Sequence, residues 1–115
     1  MRRRAITTTR LDRTLAALAD PTRRRLLDRV GRKAVRASDV GAGLPMTRPA
    51  VSKHLRILRE AGLIEPVPQG REVLYRLARH DAALAEVRRY VVRLSGTWDR
   101  ALAAFKAFAE QEEDA

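Results

Sequence analysis

The segment TRPAVSKHLRILREAGLI, residues 47–64, decides the fold because it combines a helix start, a helix stop and one apolar stripe. Thr47 can cap the helix with its hydroxyl, and Pro49 lies in the first turn, where a missing N–H costs nothing. Gly62 favours a left-handed stop. Apolar residues recur at helical spacing, and cationic residues occupy the other side. The pattern predicts an amphipathic helix from about residue 48 to residue 61.

The basic face of this predicted helix has two explanations that the segment alone leaves open. A solvated face is the common reason for cations on a surface helix. The alternative is a helix that reads DNA with its arginine, lysine and serine side chains. The choice depends on the composition of the chain and on the neighbouring elements.

The composition favours one domain that binds a polyanion. The 115 residues, 45% of them hydrophobic, suffice for one core and are too few for two ordinary domains. Lys and Arg number 24 against 14 Asp and Glu, a net charge of +10 that makes nucleic acid the leading candidate partner. The absence of cysteine excludes disulfides, thiolate metal sites and a cysteine nucleophile.

The distribution of apolar residues predicts no membrane association. The longest apolar runs span a few residues, and the start MRRRAITTTR has charge without the apolar segment of a signal peptide, so we expect a cytoplasmic protein. We expect residues 1–9 to be a flexible basic arm and the acidic tail, residues 111–115, to fray. The domain is expected to span residues 10–110.

Two helices are predicted at the start of this domain. Leucines at helical spacing indicate a first helix that ends before Asp20. Asp20 and Pro21 then begin a second helix as its N-cap and first residue, and Gly31 is expected to close it. The adjacent cations Arg23–Arg25 are expected to be solvated, with phosphate contact as the alternative.

A helix-turn-helix order emerges before the basic helix. Residues 34–37 predict a short strand, and Ser38 is expected to cap a short third helix. Gly41 and Gly43 each cost that helix about 1 kcal/mol relative to alanine, so packing must hold it. A turn at residues 45–46 then leads into the basic helix. A short helix, a tight turn and a cationic helix form the motif whose second helix enters the major groove, so the context favours DNA.

A hairpin is predicted after the basic helix. Two β-prone runs, residues 63–67 and 71–77, surround a Pro/Gly turn at residues 68–70. Pro66 and Pro68 cannot donate to a ladder, so their strand is expected at an edge. The hairpin would form a wing, with one face packed through alternating residues: Val73, Tyr75 and Leu77.

A last helical region is predicted from Asp81, its expected N-cap, onward. Apolar residues there alternate in steps of three and four, and they extend past what one small core can cover. We expect a kink or a brief break at Ser95–Thr97 and a second copy of the chain as the partner of this seam. The seam comprises Leu84, Val87, Val91, Leu94, Trp98, Leu102 and Phe105.

Three blocks, in this order, carry a family resemblance: ALADPTRRRLLDRV, MTRPAVSKHLRILREAGLI and a Gly-turned hairpin that ends in YRL. Over roughly residues 11–98 the chain closely resembles the ArsR-type winged-helix repressors. Its Trp98-Asp99 pair is similar to the autorepressor-type branch that lacks metal sites. The expected fold is mainly α with a small β-hairpin: a winged helix-turn-helix around one core, with a long C-terminal helical region for dimerisation.

The resemblance implies a homodimer built from the first and last helices, with two recognition helices in successive major grooves of an imperfect palindromic operator. The implied activity is transcriptional repression by occupying double-stranded DNA, without catalysis and without a cofactor. Carried over position by position, the DNA-binding surface is Thr47, Arg48, Pro49, Ser52, Lys53, Arg56 and Arg71. The predicted contact set also includes His54, on the same helix, and Gln69, at the exposed tip of the hairpin. The dimerisation surface is Leu11, Leu15, Leu94, Trp98, Leu102 and Phe105.

The chemistry of the side chains suggests different tasks on DNA. Arg48 and Lys53 can reach guanine O6 and N7. Arg56 and Arg71 suit phosphates, although an arginine in the wing can also enter the minor groove. Two further residues suit the bases: Ser52 can serve either base edge, and Pro49 can meet a thymine methyl group.

The two histidines do not predict a metal site. His54 lies beside a core-facing leucine and can pack, contact a phosphate or bind a ligand; the first two are favoured because no second histidine lies within a turn. His80 is similarly isolated. Metal-sensing relatives place cysteines where this chain has Ser38 and Asp39, or His and Asp pairs on the last helix, which has no histidine here. We therefore expect no metal effector.

Two other function classes fit the sequence less well. An enzyme is disfavoured because the chain offers no cysteine, only two isolated histidines, no glycine-rich phosphate loop and no close carboxylate pair on one predicted face. A sequence-tolerant architectural nucleic-acid-binding protein would fit the charge of +10, but it would not need the mixed chemistry of the basic helix. Competition with bulk DNA separates architectural from sequence-specific binding.

Overall fold

The computed structural model describes residues 9–114, which form four α-helices and one three-stranded antiparallel sheet. This architecture confirms the predicted class, a mainly α winged helix-turn-helix with a long last helix. The elements are α1 (Arg10–Ala19), α2 (Pro21–Arg32), β1 (Val35–Arg36), α3 (Arg48–Glu60), β2 (Ile64–Gln69), β3 (Glu72–Leu77) and α4 (Ala82–Glu113).

The first two helices begin with side-chain caps. The Thr9 hydroxyl accepts from the Asp12 N–H at 3.1 Å, and the Asp12 carboxylate accepts from the Thr9 N–H at 3.0 Å, which is a capping box. Thr9 therefore belongs to α1 and not to the arm predicted over residues 1–9, of which residues 1–8 lie outside the described part. Asp20 caps α2 as predicted, accepting from the Thr22 N–H at 2.8 Å.

Two expectations between α2 and α3 are wrong. Gly31 does not end α2, which continues to Arg32, because Gly31 stays helical and does not take the left-handed conformation of a stop. The third helix expected after Ser38 does not form. Residues 37–43 instead make consecutive turns, closed by bonds such as that from the Ala42 N–H to the Asp39 carbonyl at 3.0 Å.

Tertiary contacts hold this turn segment, residues 37–43, in a non-helical conformation. The local sequence did not predict these contacts. Gly43 has a φ of +79°, which an α-helix cannot contain. The Arg29 guanidinium donates to the carbonyls of Val40 and Ala42 at 2.9 and 2.6 Å. The Val40 side chain is fully buried, so the segment is fixed to the core without being helical.

The sheet has the order β1–β3–β2 with both pairs antiparallel. Its β1 strand confirms the short strand predicted within residues 34–37. Gln69 pairs with Glu72, so the hairpin loop consists of Gly70 and Arg71, and Gly70 has a φ of +62°. The β2 strand lies at an edge, as its two prolines predicted.

The hairpin is less embedded than its alternating pattern indicated. Of the three residues expected to pack, Tyr75 contacts the core cluster. Val73 and Leu77 are 41% and 46% exposed, so the prediction of a fully packed face is wrong. Val73 lies near the exposed tip of the hairpin, whereas Leu77 lies at its other end, paired with Ile64.

The core is formed by the apolar faces of the first three helices, the turn segment and the start of β2. Leu26, Val40 and Leu58 are fully buried and Ile64 nearly so. Burying side chains of this size stabilises the fold by about 1.5 to 3 kcal/mol each. The α3 helix contributes its whole apolar stripe: Val51, Leu55 and Leu58.

The last helix, α4, is continuous from Ala82 to Glu113, so the break expected at residues 95–97 is wrong. The Thr97 hydroxyl donates to the Arg93 carbonyl one turn earlier at 3.0 Å and caps nothing. The predicted frayed tail is also helical up to Glu113, while residue 115 is outside the described part. Asp81 holds the N-cap position without a capping hydrogen bond.

The α4 helix projects from the domain body. The radius of gyration is 20.5 Å, whereas about 13 Å is typical of a compact chain of this length. A 32-residue helix is about 48 Å long, which accounts for the 75 Å long dimension. Its second half is solvent-exposed and carries large apolar side chains: Trp98, Leu102, Phe105 and Phe108.

Gly41 is the most spatially constrained glycine among the described residues. A Cβ there would lie 2.6 Å from Cγ2 of Val51, which is on α3. We predict that Gly41→Ala lowers the free energy of unfolding by about 1 to 3 kcal/mol, because the turn segment would have to move off α3. Urea unfolding followed by circular dichroism measures this.

The matched control is Gly31→Ala, where the new Cβ would meet only a 3.8 Å contact and the backbone is helical. That variant should gain about 0.5 to 1 kcal/mol. Equal effects of the two substitutions would contradict the close approach of the turn segment to α3.

Candidate nucleic-acid interface

The α3 helix is fixed at both ends and along one side. The Thr47 hydroxyl accepts from the Ala50 N–H at 3.3 Å, as the sequence predicted. At the other end Gly62 has a φ of +79°, and the Leu63 N–H donates to the Leu58 carbonyl at 3.0 Å. With its apolar stripe buried, α3 has little freedom to rotate or shift along its axis.

The opposite face of α3 is exposed and cationic. The predicted DNA-contact residues on this helix, apart from His54, are all exposed to solvent, so a single face carries them together. They are Thr47, Arg48, Pro49, Ser52, Lys53 and Arg56.

This face lacks the carboxylates that neutralise several other arginines. Within residues 9–114 no ion pair or hydrogen bond occupies the side chains of Arg48, Lys53 or Arg56, and the one acidic residue of α3 is Glu60, at its last position. The α3 surface is therefore a concentration of uncompensated positive charge.

Carboxylates elsewhere in the domain are engaged with arginines. Glu65 accepts from Arg76 at 2.8 Å and from Arg79 at 3.0 Å, and the Arg76 hydrogen bond is the main reason why its pKa lies below the usual value. Arg88 likewise holds the pKa of Asp81 low by a hydrogen bond of 2.7 Å. Both regions are rich in arginine. They differ because these arginines have carboxylates as partners, whereas the arginines on the exposed face of α3 have none within residues 9–114.

The wing carries the other two predicted contact residues. Gln69 and Arg71 are exposed on either side of Gly70, at the tip of the hairpin. Glu72 pairs with Arg36 at 3.1 Å and not with Arg71. Arg71 thus presents a guanidinium on the hairpin loop that has no ion pair with any of the described residues 9–114.

His54 is placed differently from the other eight contact residues. It is half-buried, and its Nδ1 lies 3.3 Å from Nη1 of Arg23. The side chain turns toward the start of α2 and away from the exposed α3 face. Of the uses predicted for His54, packing is the one that this contact supports.

The arginines at the start of α2 perform a task that sequence reasoning missed. Arg23 donates to the carbonyls of Ala17 and Ala16, both at 2.9 Å, and Arg24 donates to the Leu18 carbonyl at 2.7 Å. The expectation of a solvated cation is therefore wrong for Arg23, whose side chain is 15% exposed, whereas Arg24 is exposed and makes this one backbone hydrogen bond as well. A signal was present, because α1 has no basic residue in its own last turn to satisfy these carbonyls.

Asp20 connects this capping to α2. Its carboxylate accepts from the Arg23 N–H at 3.1 Å, which is the main reason why its pKa lies below the usual value. The Arg23 guanidinium is 3.8 Å from the same carboxylate. The junction between α1 and α2 is thus closed by one aspartate and two arginines.

The predicted dimerisation residues lie on α1 and α4. Leu11 is half-buried and Leu15 is 37% exposed, whereas the α4 residues Trp98 and Phe105 are 65% and 71% exposed. Leu94 and Leu102 are exposed on the same side of α4, since both belong to the three- and four-residue repeat. Within residues 9–114 the α4 side chains of this set stay largely uncovered, whereas Leu11 and Leu15 are partly covered.

Other features of the described residues are limited. A cleft of about 520 Å³ separates the turn segment from the start of α3, with Met46, Arg48 and Val51 in its wall. Residues 9–114 contain no group of three or more His, Cys, Asp or Glu side chains that could hold a metal ion. None of the described helices is both long and apolar enough to cross a membrane.

Comparisons with known proteins agree with this geometry. A family model described as a helix-turn-helix domain matches residues 18–67. The chain is 35% identical over 103 residues to the HTH-type transcriptional regulator Rv2034 of Mycobacterium tuberculosis, covering 90% of this chain and 92% of that one. The ArsR-like transcriptional regulator from Rhodococcus sp. RHA1 superposes with a TM-score of 0.72 at 41% identity, covering 87% and 92% of the two chains.

The chain belongs to the ArsR-type family of winged helix-turn-helix transcriptional regulators. A further ArsR-type structure, the homodimeric winged helix-turn-helix DNA-binding domain of Mb0332 from Mycobacterium bovis, matches with a TM-score of 0.59 at 25% identity, over 76% of this chain and 82% of that one. Shorter matches join the chain to relatives that are named transcriptional repressors. In this family the α3 helix is the recognition helix and the β2–β3 hairpin is the wing.

Proposed function

We propose that the protein is a homodimeric repressor that binds an imperfect palindromic operator sequence-specifically. The observation that carries this proposal is the α3 face: a rigidly packed helix with exposed cations that no carboxylate within residues 9–114 neutralises. Such a face attracts DNA and offers donors to base edges. Acting on chromosomal DNA, the protein would work in the cytoplasm.

The predicted contact residues are of two kinds: readers, which contact base edges, and anchors, which contact phosphates. Arg48 opens the recognition helix, the end whose side chains point to base edges in a helix-turn-helix, and Lys53 lies farther along the same face. Both can donate to guanine. Arg56 and the wing residue Arg71 are suited to phosphates, which fix register and carry no sequence information.

Dimerisation follows from the apolar stripe of α4. Leu84, Val91, Trp98 and Phe105 recur every seven residues, the repeat by which helices pair. Exposed tryptophan and phenylalanine on a projecting helix would be costly to leave in water. A second copy of the chain offers the same stripe, and the homodimeric state named for the Mb0332 domain supports this choice.

Repression would then require only that the dimer occupies its operator. Two recognition helices on one operator would cover DNA that the transcription machinery must reach, so no catalytic group is needed, and we assign none. A sequence-tolerant architectural role remains the competing function. It predicts equal affinity for operator and scrambled DNA, which the next experiment measures directly.

We predict that substitutions at Arg48 and Arg71 differ in kind. Arg48→Ala should weaken operator binding by about 1 to 3 kcal/mol and leave binding to scrambled DNA nearly unchanged, because a bidentate base contact carries discrimination. Arg71→Ala should weaken binding to both DNAs and lower the slope of log affinity against log salt by about one unit per chain, because fewer counterions are released. Fluorescence anisotropy across a salt series measures both.

Arg59→Ala is the matched control, an exposed arginine at the far end of the same helix. It should affect operator and scrambled DNA alike. If Arg71→Ala reduced operator binding alone while Arg48→Ala reduced both equally, the division into reader and anchor would be reversed.

We predict that the chain sediments at micromolar concentration near 26 kDa, twice its mass of 13.0 kDa. Trp98→Ala should weaken association by about 2 to 4 kcal/mol, because a large ring would leave the interface. Val92→Ala is the control: Val92 is 71% exposed but lies about 100° around the helix from Val91 and so off the stripe. A monomeric wild type, or equal effects of the two variants, would refute this interface.

A further inference from the structure

The Arg23 side chain joins three elements through one guanidinium. Its Nε and Nη2 donate to the last-turn carbonyls of α1, Ala17 and Ala16, while its Nη1 reaches His54 on the recognition helix. The side chain is 15% exposed, which is low for arginine. Burying an arginine this far is favourable only when its donors are satisfied. Arg23 is therefore a built-in connection between α1 and α3.

The contact also determines where the proton of His54 resides. A guanidinium has five N–H donors and no acceptor, so the Nδ1 of His54 must be the acceptor in the 3.3 Å contact. This contact therefore favours the tautomer of the uncharged imidazole that carries its proton on Nε2. Nε2 has no hydrogen bond within residues 9–114, and it is not a buried unpaired atom, since the described part of the chain contains none. It therefore reaches solvent as a donor.

We propose that Arg23 is a positioning residue for DNA recognition: it ties the recognition helix, through His54, to the end of α1. The consequence is that α1, which we place in the dimer interface, and α3, which reads DNA, are joined by one polar contact as well as by the apolar core. Displacement of α1 in the dimer would be transmitted to α3 through this side chain. This inference rests on the proposed DNA-binding function.

Arg24 is the control that distinguishes a role in positioning α3 from a role in capping the end of α1. It also satisfies a carbonyl of the last turn of α1, that of Leu18, at 2.7 Å, but within residues 9–114 it makes no hydrogen bond to α3. Loss of either arginine removes part of the α1 cap. Loss of Arg23 alone removes the connection to the recognition helix.

The first test measures the tautomer of His54 without DNA. Nitrogen-15 chemical shifts of the imidazoles are recorded at about pH 8, above the ordinary histidine pKa of about 6.5, with His80→Gln used for assignment. Wild type should show His54 with its proton on Nε2. Arg23→Met should give a mixture of tautomers, and Arg24→Met should leave the spectrum of His54 unchanged. A wild-type proton on Nδ1 would overturn the connection, whatever the protein does with DNA.

The second test measures the coupling in operator binding. Arg23→Met and His54→Ala should each lower operator affinity about tenfold, the loss expected for one hydrogen bond to a charged group. The double variant should be no weaker than the single variants by more than about twofold, because both remove the same contact. Arg24→Met should change operator affinity by less than about twofold, since capping alone is lost.

Two outcomes would reject the positioning role. One is additive losses in the double variant; the other is an equal loss for Arg24→Met. A thermal melt shows whether each variant is folded. If Arg23→Met does not fold, the tautomer of His54 in the wild type and the operator affinity of His54→Ala still decide whether the connection positions α3. A wild type that does not prefer operator over scrambled DNA would reject the proposed function instead, so the two failures are distinguishable.

Discussion

The burial of one side of α3 is the constraint on which the rest of the structure depends. Val51, Leu55 and Leu58 pack into the core, and the turn segment approaches so closely that only a glycine fits at position 41. Because the buried side is fixed, the opposite side is fixed as well. The cations of α3 are therefore presented in one defined orientation, which is the requirement for reading bases and not merely attracting phosphates.

Arginine serves two purposes in this chain, and the difference lies in what each guanidinium contacts. Arg23, Arg24 and Arg29 donate to backbone carbonyls and stabilise the α1–α2 junction and the turn segment. Arg48 and Arg71 are exposed and have no such partner within residues 9–114, so they remain available to DNA. The 24 Lys and Arg residues thus overstate the number of donors free to contact DNA, although hydrogen bonds to carbonyls leave the net charge of +10 unchanged.

Much of the fold was predictable because its signals are local. The Thr47 cap, the Gly62 stop and the Asp20 cap were each confirmed from residue type and spacing alone. Two of the errors concern long-range contacts. Arg29 holds residues 37–43 in turns where local sequence predicted a helix, and no spacing rule places His54 against Arg23 across 31 positions. The predicted contact and interface residues stay predictions until binding is measured.

The most direct test of the account selects DNA sites from a random library with the wild-type protein and maps the contacts on the enriched site by footprinting. We predict a pseudo-palindromic sequence with protection in two major grooves, centred about 10 to 10.5 base pairs apart or at a multiple of that distance, as two fixed recognition helices require. Uniform protection without sequence enrichment would contradict the account, because it would mean that the α3 face contacts phosphates and reads no bases.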